Sequence, residues 1–167
     1  MKKTYEEKLA DCRIHNNLLA EREWFLRAIK LLTEIKKLEG KRIADFGCSG
    51  CQFLTLLSNQ ITGEFWGGDI ANNAVTHATK LGFKGFYFNA DDLTSLPEEL
   101  IGYFDIVTCL ESIEHVNDVD SYFQLLRKSL KPSGFAVITV PNIIFIKFWL
   151  HALRGGIPWK EGLSRAF

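Results

Sequence analysis

The chain reads Asp45-Phe46-Gly47-Cys48-Ser49-Gly50-Cys51 where a short apolar run, 42–46, gives way to a helical pattern that begins at Phe53. A glycine directly after a strand permits the positive φ of a tight turn and lets a ligand approach the backbone closely. Free N–H groups at the start of the next helix can hold an anionic or polar group. The stretch therefore predicts a strand–turn–helix unit with a ligand site at the turn.

Outward from this turn, strand patterns alternate with helix patterns along the chain. Strands are predicted at 42–46, 63–68, 85–89, 104–109 and 135–140, and helices from Phe53, over 72–81 and along the face Val119, Phe123, Leu126 and Leu130. The last helix is expected to close at the sequence 131–134. Such alternation predicts an α/β fold, in which a mostly parallel sheet carries helices on both faces.

Length and composition fit one globular domain. The chain has 167 residues, of which 47% are hydrophobic and 24% charged, and its formal net charge is zero. A general nucleic-acid binder would carry a basic excess, so we expect no such binding. We expect a helical N-terminal segment over 1–40 and the domain proper over 41–167, because the apolar period changes after Gly40.

No targeting or membrane segment is predicted. The start of the chain lacks the apolar stretch of a secretory signal. The longest apolar stretch, 135–150, is interrupted by Pro141, Asn142 and Lys147 and is too short for a transmembrane helix. Four cysteines without such a signal are typical of reduced thiols, so we expect a cytoplasmic protein.

Acidic side chains lie at or just after the carboxyl ends of three predicted strands. Ligands of parallel sheets bind at the carboxyl ends of strands, beside the point where strand order reverses. Asp69 lies 24 residues after Asp45 and offers two acceptor oxygens to a ribose diol. Asp91 or Asp92 can accept a hydrogen bond from an exocyclic amine. Together these positions predict a nucleoside lying across the strand ends.

The turn does not suit a pyrophosphate. The dinucleotide fingerprint requires glycines at positions 47, 49 and 52, but the chain has Ser49 and Gln52. The carboxylate of Asp45 would also repel phosphates. It suits a cationic ligand instead, such as a sulfonium that carries an α-amino group.

Seven blocks occur in a fixed order: Asp45-x-Gly47-x-Ser49, Gly67-Gly68-Asp69-Ile70, Ala90-Asp91-Asp92 with Leu96-Pro97, Phe104-Asp105-Ile106-Val107, Glu111-Ser112-Ile113-Glu114-His115-Val116, Leu130-Lys131-Pro132-Ser133-Gly134 and Val140-Pro141-Asn142. This ordered set resembles the class I S-adenosylmethionine-dependent methyltransferases, and in particular the ubiquinone-biosynthesis-type O-methyltransferases and their uncharacterised relatives. The resemblance covers about residues 40–145. It implies a Rossmann-like, doubly wound sheet of strand order 3-2-1-4-5.

The resemblance also implies a cofactor, S-adenosyl-L-methionine, and a role for each block. The turn after the first strand would wrap the methionine part, and Asp69 would bind the ribose hydroxyls. Asp92, or else Asp91, would face the adenine amine with Leu93 against the ring, while the backbone at Leu110 and Glu111 would line the transfer site. The full implied cofactor set is Asp45, Gly47, Cys48, Ser49, Gly50, Asp69, Ile70, Asp91, Asp92, Leu93, Leu110 and Glu111.

The expected reaction is transfer of a methyl group to an unidentified small-molecule acceptor, with O-methylation favoured. Proximity and alignment can supply much of the catalysis, and His115 is the candidate base because imidazole titrates near neutral pH. Small-RNA 2′-O-methyltransferases are similar around Glu111, Glu114 and His115 and hold a metal there with a further histidine. Only His151 follows here, so no metal is predicted.

A non-catalytic interpretation stays open, in which the chain is a truncated methyltransferase-like binding or scaffold module. Cys51 stands where the family usually has glycine. Cys48 and Cys51 also form a Cys-x-x-Cys pattern, for which a redox role is the minor alternative. The family's sheet normally continues with two more strands, yet 27 residues follow Val140. We therefore expect those strands to be missing, and a partner or second copy to cover the fifth strand and Phe145–Leu153.

Overall fold

The computed structural model describes residues 26–30, 32 and 38–141. The elements of this part, in chain order, are β1 (Lys41–Phe46), α1 (Gln52–Ser58), β2 (Gly63–Asp69), α2 (Asn72–Lys80), β3 (Lys84–Tyr87), β4 (Phe104–Leu110), α3 (Val119–Ser129) and β5 (Leu130–Thr139). Residues 26–30 and 32 are helical, and 3₁₀ turns cover Glu98–Leu100 and Ile113–His115. Most of the predicted segment 1–40 and the stretch Phe145–Leu153 lie outside the described residues.

The five strands form one sheet in the order β3-β2-β1-β4-β5, and every neighbouring pair is parallel. The predicted fold class and strand order are therefore confirmed. β1 lies at the centre, with β2 on one side and β4 on the other. The chain reverses its winding direction between these neighbours, which opens a crevice at the carboxyl ends of β1 and β4.

Side chains of the central strands alternate between two hydrophobic layers. Ile43 and Ile106 face the layer that holds the buried residues of α1. Ala44, Phe46 and Val107 face the layer that holds the buried residues of α3. Because successive side chains of a strand point to opposite faces, Asp45 projects toward the α1 side. The same alternation brings Thr108, its register partner on β4, to that face.

The face of α3 that packs on the sheet differs from the predicted one. The predicted apolar face includes Val119 and Phe123, but these side chains are 42% and 45% exposed. The buried residues of this helix are Tyr122, Leu125, Leu126 and Ser129. These positions also follow helical spacing, and they include a large aromatic ring that fills the layer beneath β1. Two overlapping apolar stripes are thus present in the sequence, and packing against the sheet selects one of them.

The boundary between α3 and β5 also differs from the prediction. β5 begins at Leu130, directly after α3, and Val140 lies beyond its end. Leu130 pairs with Phe104, and the register then shifts before the next pair. A Cβ on Gly134 would lie 3.0 Å from two carbonyl oxygens of β4, so the glycine favours this close approach of the two backbones. Residues 131–134, predicted to close the helix, therefore belong to the irregular first half of β5.

Within residues 26–30, 32 and 38–141, no helix combines the length and the apolar character that a membrane crossing requires.

Candidate functional site

The turn after β1 is held between β2 and the loop after β4. Gly47 has a φ of 85°, a conformation that glycine adopts without steric cost. The N–H groups of Gly47 and Cys48 donate to the carbonyl oxygen of Gly68, over 2.8 and 3.0 Å. A Cβ at position 47 would lie 2.8 Å from the Cβ of Ser112. The turn is thus closed on both sides by neighbouring strand ends.

Two further residues of the turn have left-handed backbone. Ser49 has a φ of 47°, and Cys51, directly before α1, has a φ of 57°. Left-handed backbone costs a residue other than glycine roughly 1–2 kcal/mol, which explains why glycine is usual at the position of Cys51. Its side chain is fully buried in the α1 layer, and its N–H donates to the carbonyl oxygen of Cys48 over 2.7 Å. The fold therefore accommodates this cysteine.

Asp69 ties the end of β2 to the turn. Its Oδ2 accepts a hydrogen bond from the N–H of Ser49 over 2.9 Å, and its Oδ1 accepts one from the N–H of Ala71 over 2.9 Å. Each carboxylate oxygen can accept more than one hydrogen bond. Both oxygens are therefore fixed in place and retain capacity for donors such as the two hydroxyls of a ribose.

Asp45 is a buried acid one strand away from Asp69. It is 4% exposed, and its Oδ1 accepts a hydrogen bond from Oγ1 of Thr108 over 2.7 Å. Burial raises the pKa of this carboxyl to about 7, and the nearby charge of Asp69 also raises it, against the opposing effect of the Thr108 hydroxyl. The site therefore contains a carboxyl whose ionisation would be favoured by a cationic ligand.

The two acids after β3 have different surroundings. Asp91 accepts hydrogen bonds from both N–H groups of Asn117, backbone and side chain, and from the N–H of Asp118. These bonds join the loop of Asp91 to the loop after β4. They also lower the pKa of the Asp91 carboxyl, and the bond from the N–H of Asp118 has the largest effect. Asp92 accepts two hydrogen bonds through Oδ1 from Thr94, which lower its pKa. Among the described residues, no hydrogen bond to Oδ2 of Asp92 is present.

Apolar groups border these acids. Ile70 follows Asp69 and is 40% exposed. Leu93 is half-buried and packs against the α3 layer. The structure thus places Asp69, Ile70, Asp91, Asp92 and Leu93, all predicted cofactor residues, at the carboxyl ends of β2 and β3.

The end of β4 carries the remaining predicted residues. Leu110 is buried, and Glu111 has a φ of 52°. The N–H of Glu111 donates to the backbone oxygen and to Oγ1 of Thr139, each over 3.2 Å. Burial raises the pKa of Glu111, and a hydrogen bond with Thr139 opposes the rise. His115 is exposed on the following 3₁₀ turn, with Nε2 3.8 Å from Oε1 of Glu114.

A buried hydroxyl network beneath the turn was missed by the sequence prediction. The hydroxyls of Ser112 and Tyr122 each donate to the carbonyl oxygen of Phe46 over 3.1 Å, and they lie 3.1 Å from each other. The network fixes the residue before Gly47 and so orients the turn. Ser112 lies in one of the seven blocks but has no predicted role, and no motif marks Tyr122. A buried tyrosine on a helix face generally needs a polar partner.

In the part of the chain that the structure describes, no group of three or more histidine, cysteine, aspartate or glutamate side chains is arranged to hold a metal ion. The thiols of Cys48 and Cys51 are free and buried. A hydrogen bond with Cys51, together with burial, holds the pKa of the Cys48 thiol well above its usual range. Such a thiol is a poor nucleophile, which weighs against the redox alternative.

The doubly wound sheet, the glycine turn and the acids at the ends of β1 and β2 and after β3 define an α/β domain with the arrangement that the sequence predicts for a nucleoside site. Residues 18–160 match the family model described as a methyltransferase domain. The chain therefore belongs to the methyltransferase domain family, whose methyl donor is S-adenosyl-L-methionine.

Individual curated proteins that are similar to this chain are also methyltransferases. The chain is 32% identical over 148 residues to a ubiquinone biosynthesis O-methyltransferase of Marinobacter nauticus, an alignment that covers 80% of this chain and 62% of that protein. The chain thus spans less than two thirds of the length of this curated relative. A second such enzyme, from Vibrio cholerae, is 32% identical over 133 residues, with 78% of this chain and 54% of that protein covered.

Solved structures share the fold. A candidate S-adenosyl-L-methionine-dependent methyltransferase of Methanococcus maripaludis matches with a TM-score of 0.71 at 15% identity and covers 99% of this chain and 83% of its own. The Haemonchus contortus phosphoethanolamine N-methyltransferase 2 in complex with S-adenosyl-L-methionine matches with a TM-score of 0.58 at 18% identity, with 78% of this chain and 33% of that chain covered.

Proposed function

We propose that this chain transfers a methyl group from S-adenosyl-L-methionine to a small-molecule acceptor, with O-methylation favoured. The observation that carries the proposal is the pair of acids at the turn, Asp45 and Asp69, held by backbone and hydroxyl donors at the ends of β1 and β2. The preference for oxygen is supported by the two relatives, which are both named as O-methyltransferases. When bound, the cofactor supplies an electrophilic methyl group.

The residues of the site have separate roles in this proposal. Asp69 holds the ribose hydroxyls, and the ionised form of Asp45 offsets the positive charge of the methionine part. Ile70 and Leu93 provide apolar contacts for the base. The left-handed turn at Gly47 and Ser49 would bring backbone close to the ligand. A side chain at position 47 would disturb this turn, because its Cβ would lie 2.8 Å from the Cβ of Ser112. Positioning is thus the main contribution of these groups.

The organisation of the chain is part of the same proposal. We assign residues 41–167 to one methyltransferase-like domain, preceded by the helical segment 1–40. The free thiols of Cys48, Cys51 and Cys109 support a reducing compartment such as the cytoplasm. His115 keeps the role of a candidate base.

Calorimetric titration of the protein with S-adenosyl-L-methionine tests the proposal. We expect saturable binding of one equivalent, in the micromolar range that is common for enzyme substrates. S-adenosylhomocysteine, the product, should compete for the same site. Absence of binding at millimolar cofactor would contradict the enzyme proposal and favour the alternative of a non-catalytic methyltransferase-like module.

Substitutions of Asp91 and Asp92, the two acids after β3, should have different effects on cofactor binding and on Tm. Within the described part of the chain, Oδ2 of Asp92 accepts no hydrogen bond, whereas both oxygens of Asp91 do. Asp92→Ala is therefore expected to weaken cofactor binding about tenfold with little change in Tm. Asp91→Ala should lower Tm by several degrees, because it removes the acceptor for three hydrogen bonds between two loops. Calorimetry and thermal unfolding of both variants check this. The reverse pattern would assign the adenine amine to Asp91.

A further inference from the structure

One buried side chain of α3 contacts segments at the ends of three strands. The hydroxyl of Tyr122 donates to the carbonyl oxygen of Phe46, the last residue of β1, over 3.1 Å. The same hydroxyl lies 3.1 Å from Oγ of Ser112, in the loop after β4. The ring of Tyr122 is stacked on the ring of Phe88, which follows β3, with centroids 6.0 Å apart and planes inclined by 13°. Tyr122 thus joins the segments that lead into both halves of the proposed cofactor site.

The carbonyl group of Phe46 lies where β1 and β4 separate. The last pair that these strands form is Asp45 with Thr108, so Phe46 is one residue beyond their shared ladder. Phe46 is fully buried, and a buried carbonyl group without a donor is costly. The hydroxyl of Ser112 also donates to this carbonyl oxygen, over 3.1 Å. Two side-chain hydroxyls therefore supply the donors at the point where the crevice opens.

The turn that follows Phe46 is supported from two sides. On the β2 side, the N–H groups of Gly47 and Cys48 donate to the carbonyl oxygen of Gly68. On the β4 side, Ser112 is so close that a Cβ at position 47 would lie 2.8 Å from its own Cβ. Loss of the hydroxyls would release the turn on the β4 side while the β2 side stays attached. The turn could then leave its present shape without unfolding of the sheet.

We propose that Tyr122 and Ser112 are positioning residues for the cofactor. Their hydroxyls hold the turn after β1 in the shape that receives the methionine part, and the ring of Tyr122 holds the end of β3 that precedes Asp92 and Leu93. This inference rests on the proposed methyltransferase function. Neither residue has to touch the cofactor, because a site that is in its binding shape for only a fraction of the time loses affinity by that fraction.

The two halves of the site can be tested with two ligands. S-adenosylhomocysteine carries the amino acid chain, whereas 5′-methylthioadenosine has the same ribose and adenine without it. Asp69 keeps its hydrogen bond from the N–H of Ala71 when the turn moves, so the ribose position is retained. Loss of the hydroxyls should therefore weaken the binding of S-adenosylhomocysteine alone, and loss of the Tyr122 ring should weaken the binding of both ligands.

Calorimetric titration of the full chain with both ligands makes the comparison. Ser112→Ala and Tyr122→Phe each leave one donor on the carbonyl group of Phe46, so each should weaken the binding of S-adenosylhomocysteine about threefold. The double variant leaves none, and it should weaken this binding about 30-fold or more, beyond the product of the two single effects. The affinity for 5′-methylthioadenosine should stay within about twofold in all three variants.

Tyr122→Leu tests the role of the ring. It removes the stack on Phe88 as well as the hydroxyl, and it should weaken the binding of 5′-methylthioadenosine about tenfold. Tyr122→Phe keeps the stacked ring, so the comparison of the hydroxyl variants holds even where Tyr122→Leu does not fold.

Two matched controls remove the same chemical groups away from the site. Tyr103→Phe deletes a phenol hydroxyl that donates to Oε1 of Glu64 over 2.7 Å, at the amino ends of the strands. Ser129→Ala deletes a buried hydroxyl of α3 that donates to the carbonyl oxygen of Leu126 over 2.8 Å. Both controls should leave the affinity for either ligand within about twofold, even where they lower Tm.

Hydrogen exchange gives a readout that needs no ligand. In the double variant of Ser112 and Tyr122, the backbone N–H groups of Gly47 and Cys48 should exchange about tenfold faster than in the wild-type protein, because the turn opens more often. The two control variants should exchange these N–H groups at the wild-type rate.

The unfavourable outcomes are distinct. If the wild-type protein binds neither ligand, the proposed function fails, and this inference fails with it. If the wild-type protein binds both ligands but the double variant loses equal affinity for both, or none, the hydroxyls only stabilise the fold and the positioning role is overturned. The same conclusion follows if either control weakens the binding of S-adenosylhomocysteine as much as the double variant does.

Discussion

Asp69→Ala is expected to weaken the binding of S-adenosyl-L-methionine by about 100-fold. The carboxylate would accept two hydrogen bonds from the ribose, and a hydrogen bond to a charged group contributes about 1.5–3 kcal/mol. Two such bonds correspond to about 100-fold or more in affinity. The variant also removes the acceptor of the Ser49 and Ala71 N–H groups, so the turn loses part of its support. Calorimetric titration measures the affinity directly.

A matched control separates the loss of the ribose contact from a general loss of stability. Asp105 lies at the amino end of β4, where it accepts a hydrogen bond from the N–H of Arg42 and forms an ion pair with Lys131. Asp105→Ala should therefore lower Tm yet leave cofactor affinity within about twofold, because the opposite end of the strands holds the site. Unchanged affinity in a folded Asp69→Ala variant would show that the ribose lies elsewhere.

Asp45→Asn is expected to weaken cofactor binding while it makes the ligand-free protein less sensitive to alkaline pH. The pKa of Asp45 is about 7 in the folded protein, against an ordinary value of 3.8. Between these values the folded state keeps a proton that the unfolded state has released. The contribution of Asp45 to stability is thus complete below about pH 4 and is lost as the pH rises to about 7. Asparagine does not ionise, so the stability of the variant does not fall in this way as the pH rises.

Urea unfolding at two pH values measures the effect on stability. The free energy of unfolding of Asp45→Asn, relative to that of wild type, should increase by about 2 kcal/mol between pH 5.5 and pH 8, because wild type loses stability over this interval. The comparison between pH values removes any constant cost of burying the amide. Asp105→Asn is the control, since the Arg42 N–H and Lys131 outweigh the effect of burial and hold the pKa of Asp105 below its usual range. The difference in the free energy of unfolding between Asp105→Asn and wild type should not change between pH 5.5 and pH 8.

The effect on binding has the opposite dependence on pH. Because a cationic ligand favours the ionised form of Asp45, the affinity of the wild-type protein for S-adenosyl-L-methionine should rise about tenfold between pH 6 and pH 7.5. Asp45→Asn should bind at least about tenfold more weakly at pH 7.5 and show a flat profile. A wild-type affinity that does not vary over this range would mean that Asp45 is not next to the positive charge.

The order of the elements and the general position of the site were readable from the sequence. Strand and helix patterns are local, since they depend on the spacing of apolar residues within a few turns or a few strand residues. The glycine turn and the acids after successive strands are local features too. Parallel strands place their carboxyl ends at one edge of the sheet, so the sequence was sufficient to bring Asp45, Asp69 and Asp92 to the same side.

Only the tertiary structure decided which of several locally equivalent choices is used. α3 carries two overlapping apolar stripes, and packing on the sheet buries the one with Tyr122 while Phe123 stays exposed. Asp91 and Asp92 are adjacent in sequence, yet the carboxylate of Asp91 accepts hydrogen bonds from a loop 26 residues away. The raised pKa of Asp45 and the buried oxygen of Glu111 arise from groups distant in the chain. The sequence determines what each segment can become, and long-range packing and desolvation determine what each side chain does.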